Sequence, residues 1–338
     1  MASMNQLGND LYTGKTSVPF VGKRNLWFLI AGLLVLVSIL VVFLRPPQFS
    51  MEFTGGTQFT VSGVAAENLD QGKATEAVRS IAGDVATKVT TVGTDGIRVQ
   101  TEALEADSSE GASPVQQISE ALATAYKVDA AEHVSSSVVG ASWGADVTRQ
   151  SLWGLGIFLA LAFVILALYF RTWKMSAAAI IGLLDVLVIT FGVYALCGFE
   201  ISPAAVIGFL TILGYSLYDT TVVFDKIRET TAEQGSASHR TFGESVNLGV
   251  NQTLIRSINT SVVAVLPVAA ILFIGALGLG AQTLADISLS ITVGIIVAAY
   301  STLFVAAPLY SLFRENEPKI KSHDAKVARA RERDADVA

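Results

Sequence analysis

The stretch Gly214–Glu229, GYSLYDTTVVFDKIRE, decides how this chain is built. SPAAVIGFLTIL precedes it and is almost wholly apolar, and the TTVVF inside it is apolar again. Joined, they are long enough for a bilayer core, which takes about 20 apolar residues in a helix. Yet Asp219 stands within the run. A charge at the centre of a membrane helix costs about 2.5–3.5 kcal/mol on insertion scales, so such residues face protein or water and mark functional positions. Asp219 precedes Asp225, where the span ends, by six residues. That places it about 9 Å inward from one end of the helix, short of the midplane.

The remaining sequence fits a membrane protein. Of 338 residues, 51% are hydrophobic and 15% charged, where soluble domains carry about 25% charged residues. Six spans are predicted: Leu26–Leu44, Leu152–Phe170, Ala177–Leu196 with Asp185 inside it, Ile201–Phe224 with Asp219, Leu254–Leu279 and Leu284–Leu312. Pro267 and Pro308 lie within spans, where neighbouring helices satisfy the freed carbonyls. The first span is expected to be retained, because LRPPQFS after it lacks the small-residue pattern of a cleavage site. Lys23, Arg24, Arg171, Lys174, Lys226, Arg228, Arg240 and the segment from Arg314 onward fall on one side. The short opposite connections, CGFEIS and LGLGAQ, hold no Lys or Arg. The positive-inside pattern therefore predicts both termini in the cytoplasm and residues 45–150 outside. Residues 1–25 read as a cytoplasmic N-terminus. Residues 314–338 mix both signs without an apolar stripe and read as a disordered cytoplasmic tail.

The single cysteine, Cys197, excludes an intramolecular disulfide and is expected to be a packed side chain. His133, His239 and His323 show no metal-ligand spacing, so neither metal nor cofactor is expected. The net charge of -6 is not that of a nucleic-acid binder.

Residues 45–150 can hold a small core. MEFTGGTQFTV and VDAAEHVSSSVVG read as strands, and DVATKVTTVG and DGIRVQTEA as two more around a Gly93–Gly96 turn. AENLDQGKATEAVRSIAG and SPVQQISEALATAY read as helices, the second with Ser113 as N-cap and Pro114 in its first turn. The resulting order, β-α-β-β-α-β, predicts a ferredoxin-like α+β domain after the first helix. Gly55 and Gly56 suit either a sharp turn between helix and domain or a hinge.

The fifth span opens with NQTLIRSINTS, in which Gln252, Arg256, Asn259 and Thr260 share one helical face. Spans four and five are antiparallel, so Arg256 is expected to pair with Asp219 at similar depth. Arg keeps its proton while Asp can lose one, so the pair is read either as a static bridge or as a route to proton coupling. Asp185 is a second candidate for relay or structure. Asp286, near the outer end of the sixth span, is assigned a structural or access role, and Ser288, Ser290 and Thr292 read as packing residues.

One helix, a large outer segment and five further helices resemble half of a resistance-nodulation-division transporter. Within that superfamily the chain is similar to the SecD–SecF protein-export family, on its SecF side. The resemblance rests on FTGGT at Phe53–Thr57, GYSLYDTTVVFDKIRE at Gly214–Glu229, RSINTS at Arg256–Ser261 and TLADISLSITVGIIVAAYSTLFVAAPLY at Thr283–Tyr310. Tyr218 and Leu184 depart from the family pattern, which has asparagine and histidine before the two aspartates. The resemblance implies a subunit of the bacterial plasma (inner) membrane that couples proton motive force to late polypeptide export. Implied partners are SecD, the SecYEG channel, SecA indirectly, YajC, the YidC insertase and the translocating polypeptide. Asp219 and Arg256 would respond to protons, and Asp225 and Arg228, at the cytoplasmic mouth, would set helix position; Thr220 also matches the pattern. The coupling ion is expected to be H⁺, with Na⁺ left open. A scaffold that stabilises SecD and the channel is the competing reading. A small-molecule antiporter fits less well, because the outer segment is one small domain.

Overall fold

A computed structural model describes residues 4–93, 95–102, 104, 113–232, 240–278 and 282–337. The predicted end of the fifth span at Leu279, Thr94 of the expected hairpin and the last tail residue lie outside the described residues.

The chain begins with α1 (Met4–Thr13) and the first long apolar helix, α2 (Arg24–Leu44). Then come β1 (Gln48–Phe49), α3 (Met51–Thr54), β2 (Gly56–Val61), α4 (Gln71–Ala82), β3 (Thr87–Val92), β4 (Gly96–Thr101), α5 (Pro114–Tyr126), α6 (Ala130–His133) and β5 (Val134–Val139). The remaining membrane part is α7 (Ala141–Phe170), α8 (Trp173–Cys197), β6 (Glu200–Ile201), α9 (Pro203–Ala232), α10 (Phe242–Leu272) and α11 (Gln282–Ser301). A π turn at Thr302–Ala306 joins α11 to α12 (Ala307–Arg314), and α13 (Pro318–Val337) closes the chain. Six of these segments are long and apolar enough to cross a membrane, and the protein is a multi-pass membrane protein.

Several helices outrun the apolar windows that announce them. α10 starts at Phe242 rather than Leu254. A capping box holds its first turn: Thr241 Oγ1 accepts from the Glu244 N–H at 3.3 Å, and Glu244 Oε2 accepts from the Thr241 N–H at 2.9 Å. α9 runs on to Ala232 rather than ending at Phe224, and starts at Pro203, with Ser202 Oγ accepting from the Ala205 N–H at 3.1 Å. α8 ends on Gly198 at φ 71°, a left-handed cap that suits glycine. Cys197, expected to be packed, is exposed in the last helical turn before that cap.

Burial sorts the helices. In α8, α9 and the α11–α12 span 44–50% of the apolar window is buried, against 11% in α2, α7 and α10. The first three form the heart of the bundle, with α9 packed on α8, α10 and α11. α9 and α11 approach closely through glycines. A Cβ on Gly208 would lie 1.7 Å from Ser290 Oγ, and one on Gly294 would lie 2.5 Å from Ile212 Cγ2. Small residues at such crossings let membrane helices pack backbone to backbone.

Outside the bundle, β3-β4-β2-β5 form one antiparallel sheet with α4 and α5 packed together on it. Phe59 and Val61 of β2 and Ile97 and Val99 of β4 alternate into a core with Val78, Ile118, Leu122 and Tyr126. Gln58, Arg98 and Gln100 alternate onto the other side and line a polar cavity with Glu200, Ser202 and Asp286 at the end of the bundle. Gly55 and Gly56, at φ 77° and 148°, make the turn from α3 into β2. A Cβ on Gly56 would lie 2.5 Å from the Thr101 carbonyl oxygen, so only glycine fits there.

Several features differ from the sequence reading: the stretches read as the first and last strands each open with a short helix, α3 and α6, before β2 and β5 begin. β1 and β6 pair in parallel, Gln48 with Glu200 and Phe49 with Ile201, and Lys88 of β3 bonds both Gln48 and Glu200. The N-terminal segment is structured: Leu11 and Phe20 are buried, and Asn247 and Asn251 of α10 bond the backbone at Val18 and Val21. The tail, expected to be disordered, is the helix α13. Ile320 and Val327 form a narrow apolar stripe, while Asp324 accepts from the Phe242 N–H and Arg331 pairs with Glu244. Residues 320, 324, 327 and 331 follow helical spacing on one face. The face is half polar, which is why hydropathy does not reveal it.

Glu317 fastens the start of this tail, accepting from Arg314 Nη2 and Lys174 Nζ at 3.0 Å each. Hydrogen bonds from Arg314 first, with Lys174 adding and burial opposing, hold its carboxyl below the usual 4.5. A depressed native pKa stabilises the folded state above the unfolded value, and that contribution is lost as the pH falls through the native one. Trypsin is therefore expected to cut α13 faster below pH 4.5 than at neutral pH, once corrected for its own activity. Glu317→Gln is expected to be cut more readily at neutral pH and to lose part of this acid dependence, the rest coming from Glu244, the carboxylate to which Arg331 ties α13.

Candidate functional site

Asp219 is buried on α9, inside the bundle. Its partner is not the one expected. Ser257 of α10 donates to the carboxylate, lying 3.0 Å from Oδ1 and 2.8 Å from Oδ2. Among the described residues no ion pair joins Asp219 to Arg256. Arg256 and Asn259 are exposed, Gln252 bonds the Tyr12 carbonyl, and Thr260 bonds back to the Arg256 carbonyl. The shared face read for these four residues holds, but it turns away from α9. Successive residues on a helix are separated by about 100°, so Ser257 faces Asp219 and Arg256 does not.

The π turn at Thr302–Ala306 completes the site. Pro308 has no N–H to offer the carbonyl of Phe304, and its ring crowds that oxygen; the turn just before it is widened. Such one-turn bulges in α-helices recur at functional sites. Here Ser301, Thr302 and Leu303 are buried in succession. Thr302 Oγ1 lies 3.1 Å from Thr220 Oγ1, and its side chain lies beside the Asp219 carboxyl. Thr220, Thr302 and the carboxylate are thus neighbours in the buried core of the bundle. Ser301 lies beside the other aspartate: it is next to the Asp185 carboxyl and donates to the Gly182 carbonyl at 3.0 Å. Asp185 is buried, and its Oδ2 has no hydrogen-bond partner. Two adjacent hydroxyls on one helix therefore lie beside two buried carboxyls on two others.

The remaining candidates lie apart. Asp286 is buried at the domain end of α11, where Oδ2 accepts from Ser202 Oγ at 2.8 Å and its backbone carbonyl accepts from the Tyr194 hydroxyl at 3.1 Å. It thereby steadies the residue that caps α9. Asp225 and Arg228 are exposed at the tail end of α9. Tyr218 and Leu184, the two departures from the family pattern, are also exposed. Ser288 and Thr292 bond carbonyls four residues back and Ser290 one three back, as packing residues do. Among the described residues no group of three acidic, histidine or cysteine side chains is placed to hold a metal.

Asp219, Asp185 and Thr220, named from the sequence, are buried in this cluster, and Ser257, Ser301 and Thr302, which lie beside them, were not named. Ser257 adjoins the residue that was chosen, and helix phase against α9 was the missing signal. The two hydroxyls on the sixth span depend on a π turn whose only trace in the sequence is Pro308.

Residues 118–316 match the family described as Protein export membrane protein SecD/SecF, C-terminal. The Protein translocase subunit SecF of Streptomyces coelicolor is 39% identical over 327 residues, covering 97% of this chain and 85% of that protein. The subunit of the same name from Mycobacterium tuberculosis is 36% identical over 330 residues, covering 95% and 72%. Among solved structures, the crystal structure of SecDF, a translocon-associated membrane protein from Thermus thermophilus, superposes with a TM-score of 0.73 at 28% identity. That match covers 89% of this chain but only 39% of the SecDF chain. With its six apolar helices, its outer sheet and sequence identity running almost end to end, the chain belongs to the SecD/SecF family of protein export membrane proteins and aligns with its SecF members.

Proposed function

We propose that this chain is the SecF-type subunit of a protein-translocation complex and couples the proton motive force to late export of polypeptides. Membership of a protein-export family supports the role in translocation. One observation carries the coupling: Asp219, a buried carboxyl in a membrane helix, is held by neutral hydroxyls rather than by a cation. Ser257 and Thr302 can donate to a carboxylate, and a hydroxyl can also accept from a protonated acid, so both protonation states find partners without rebuilding the bundle. Asp185, on the neighbouring hydroxyl Ser301, is the second carboxyl of the path. Arg256 and Asn259 face outward, where a SecD-like half would meet this one. Pairing of that kind is supported by the SecDF chain of Thermus thermophilus, which this chain matches over 39% of its length.

In this reading the complex sits in the bacterial plasma membrane with both termini cytoplasmic and the sheet outside as a ferredoxin-like unit. It works beside SecYEG after SecA has pushed, with YajC and YidC as further partners. The Gly55–Gly56 turn is the pivot between domain and membrane. Protonation at Asp219 biases the packing of α9 against α10 and the π turn, and the outer unit follows.

The test uses vesicles holding the whole complex with channel and motor. Export of a polypeptide already part-way through is followed after ATP is removed. A proton gradient is expected to drive completion, and a protonophore to stop it. Completion that follows a sodium gradient instead would change the ion. Indifference to both gradients would leave the scaffold role.

A further inference from the structure

A second polar cavity, of about 320 Å³, opens at the tail end of the bundle, far along α9 from Asp219. Its lining includes Arg171, Thr172, Arg228 and Arg314. These side chains come from four places in the fold. Arg171 ends α7 in a left-handed conformation, φ 54°, which turns the chain straight into α8. Thr172 is the N-cap residue of α8, yet its side chain makes no capping bond. The Thr172 hydroxyl is buried and has no hydrogen-bond partner. Arg228 comes from the last turns of α9 and Arg314 from the end of α12.

The charge in this cavity is not balanced from within. Arg314 is occupied by Glu317 and the Tyr310 hydroxyl. Arg171 and Arg228 form no ion pair among the described residues. Like charges converge where an anion is to be received. Guanidinium forks match phosphate oxygens, and the opening turn of a helix presents unused N–H groups to the same kind of ligand. The Thr172 hydroxyl supplies one more donor.

The surroundings favour a lipid as the carrier. Phe170, Met175 and Ile320 give the cavity an apolar wall. Trp173, next to Thr172, is exposed, as tryptophans are where a membrane meets water. Basic pockets between membrane helices at this depth take lipid headgroups.

We propose that this cavity is a phosphate site that seats the headgroup of an anionic phospholipid between the ends of α7, α8, α9 and α12. The full-length chain in neutral detergent, titrated with phosphatidylglycerol, phosphatidylcholine or inorganic phosphate and read by native mass spectrometry, tests it. Phosphatidylglycerol is expected to bind at least about tenfold more tightly than phosphatidylcholine. Each of Arg171→Gln and Arg228→Gln should weaken it about fivefold, while Lys226→Gln, outside the cavity, leaves it unchanged. Arg228→Lys should restore part of the loss and serves as the folded control for Arg228→Gln. Displacement of the lipid by inorganic phosphate would support the shared phosphate chemistry. Binding of inorganic phosphate without any preference for phosphatidylglycerol would overturn the lipid assignment. Equal binding of the two lipids with no binding of inorganic phosphate, or a preference that survives loss of both arginines, would overturn the site itself.

Discussion

Asp219→Asn is expected to abolish gradient-driven export while leaving the complex assembled. Asparagine has the shape of the acid and its amide oxygen still accepts from Ser257, which lies 2.8–3.0 Å from the native carboxylate. What it lacks is a proton to gain or lose. One charge crossing 100 mV is worth about 2.3 kcal/mol, about fiftyfold in an equilibrium at about 1.4 kcal/mol per tenfold. The gradient-dependent part of the export rate should therefore fall at least tenfold, toward the rate seen without a gradient. The measurement is the ratio of export with and without a proton gradient, alongside recovery of the variant with its partner subunit. A variant that assembles and keeps the wild-type ratio removes Asp219 from the coupling and leaves the translocation role without its energy source.

The second large effect is on stability. Gly208→Ala places a methyl group 1.7 Å from Ser290 Oγ and 2.9 Å from Ser290 Cβ. Rotation of the serine relieves the first contact but not the second, so α9 and α11 must move apart. Overpacking of this kind costs about 1–3 kcal/mol, and the loss should appear as a lowered unfolding midpoint in detergent. Ser290→Gly removes both offending atoms and should recover much of the loss when combined with Gly208→Ala. Additive losses would mean that the crossing is looser than the geometry shows.

The parts of the fold that were legible are those written in long apolar runs and in alternation. The six spans announce themselves through length, and β2 and β4 through Phe59, Val61, Ile97 and Val99. The acid in the fourth span was legible because nothing else in GYSLYDTTVVF is charged. Its partner was not. Periodicity grouped Arg256 with Asn259 and Thr260 but carries no information on which neighbour the face meets, and opposite charge favoured the arginine. The bundle instead offers the next residue, Ser257. The π turn escaped because the hydroxyls it aligns, Ser301 and Thr302, are adjacent and look like one polar step in an apolar helix. β1 and β6 are too short for any pattern, and α13 rests on two apolar residues helped by an aspartate and an arginine.

The short pairing of Gln48–Phe49 with Glu200–Ile201 has a mechanical outcome. Tension on the sheet can enter the bilayer along the two covalent crossings, through α2 and α7, and through the packing of Phe53 of α3 against α8 and α9. The ladder, held by Lys88, adds a hydrogen-bonded route that ends two residues before α9 begins. A pull on the sheet would thereby be felt at the start of the helix that carries the buried acid.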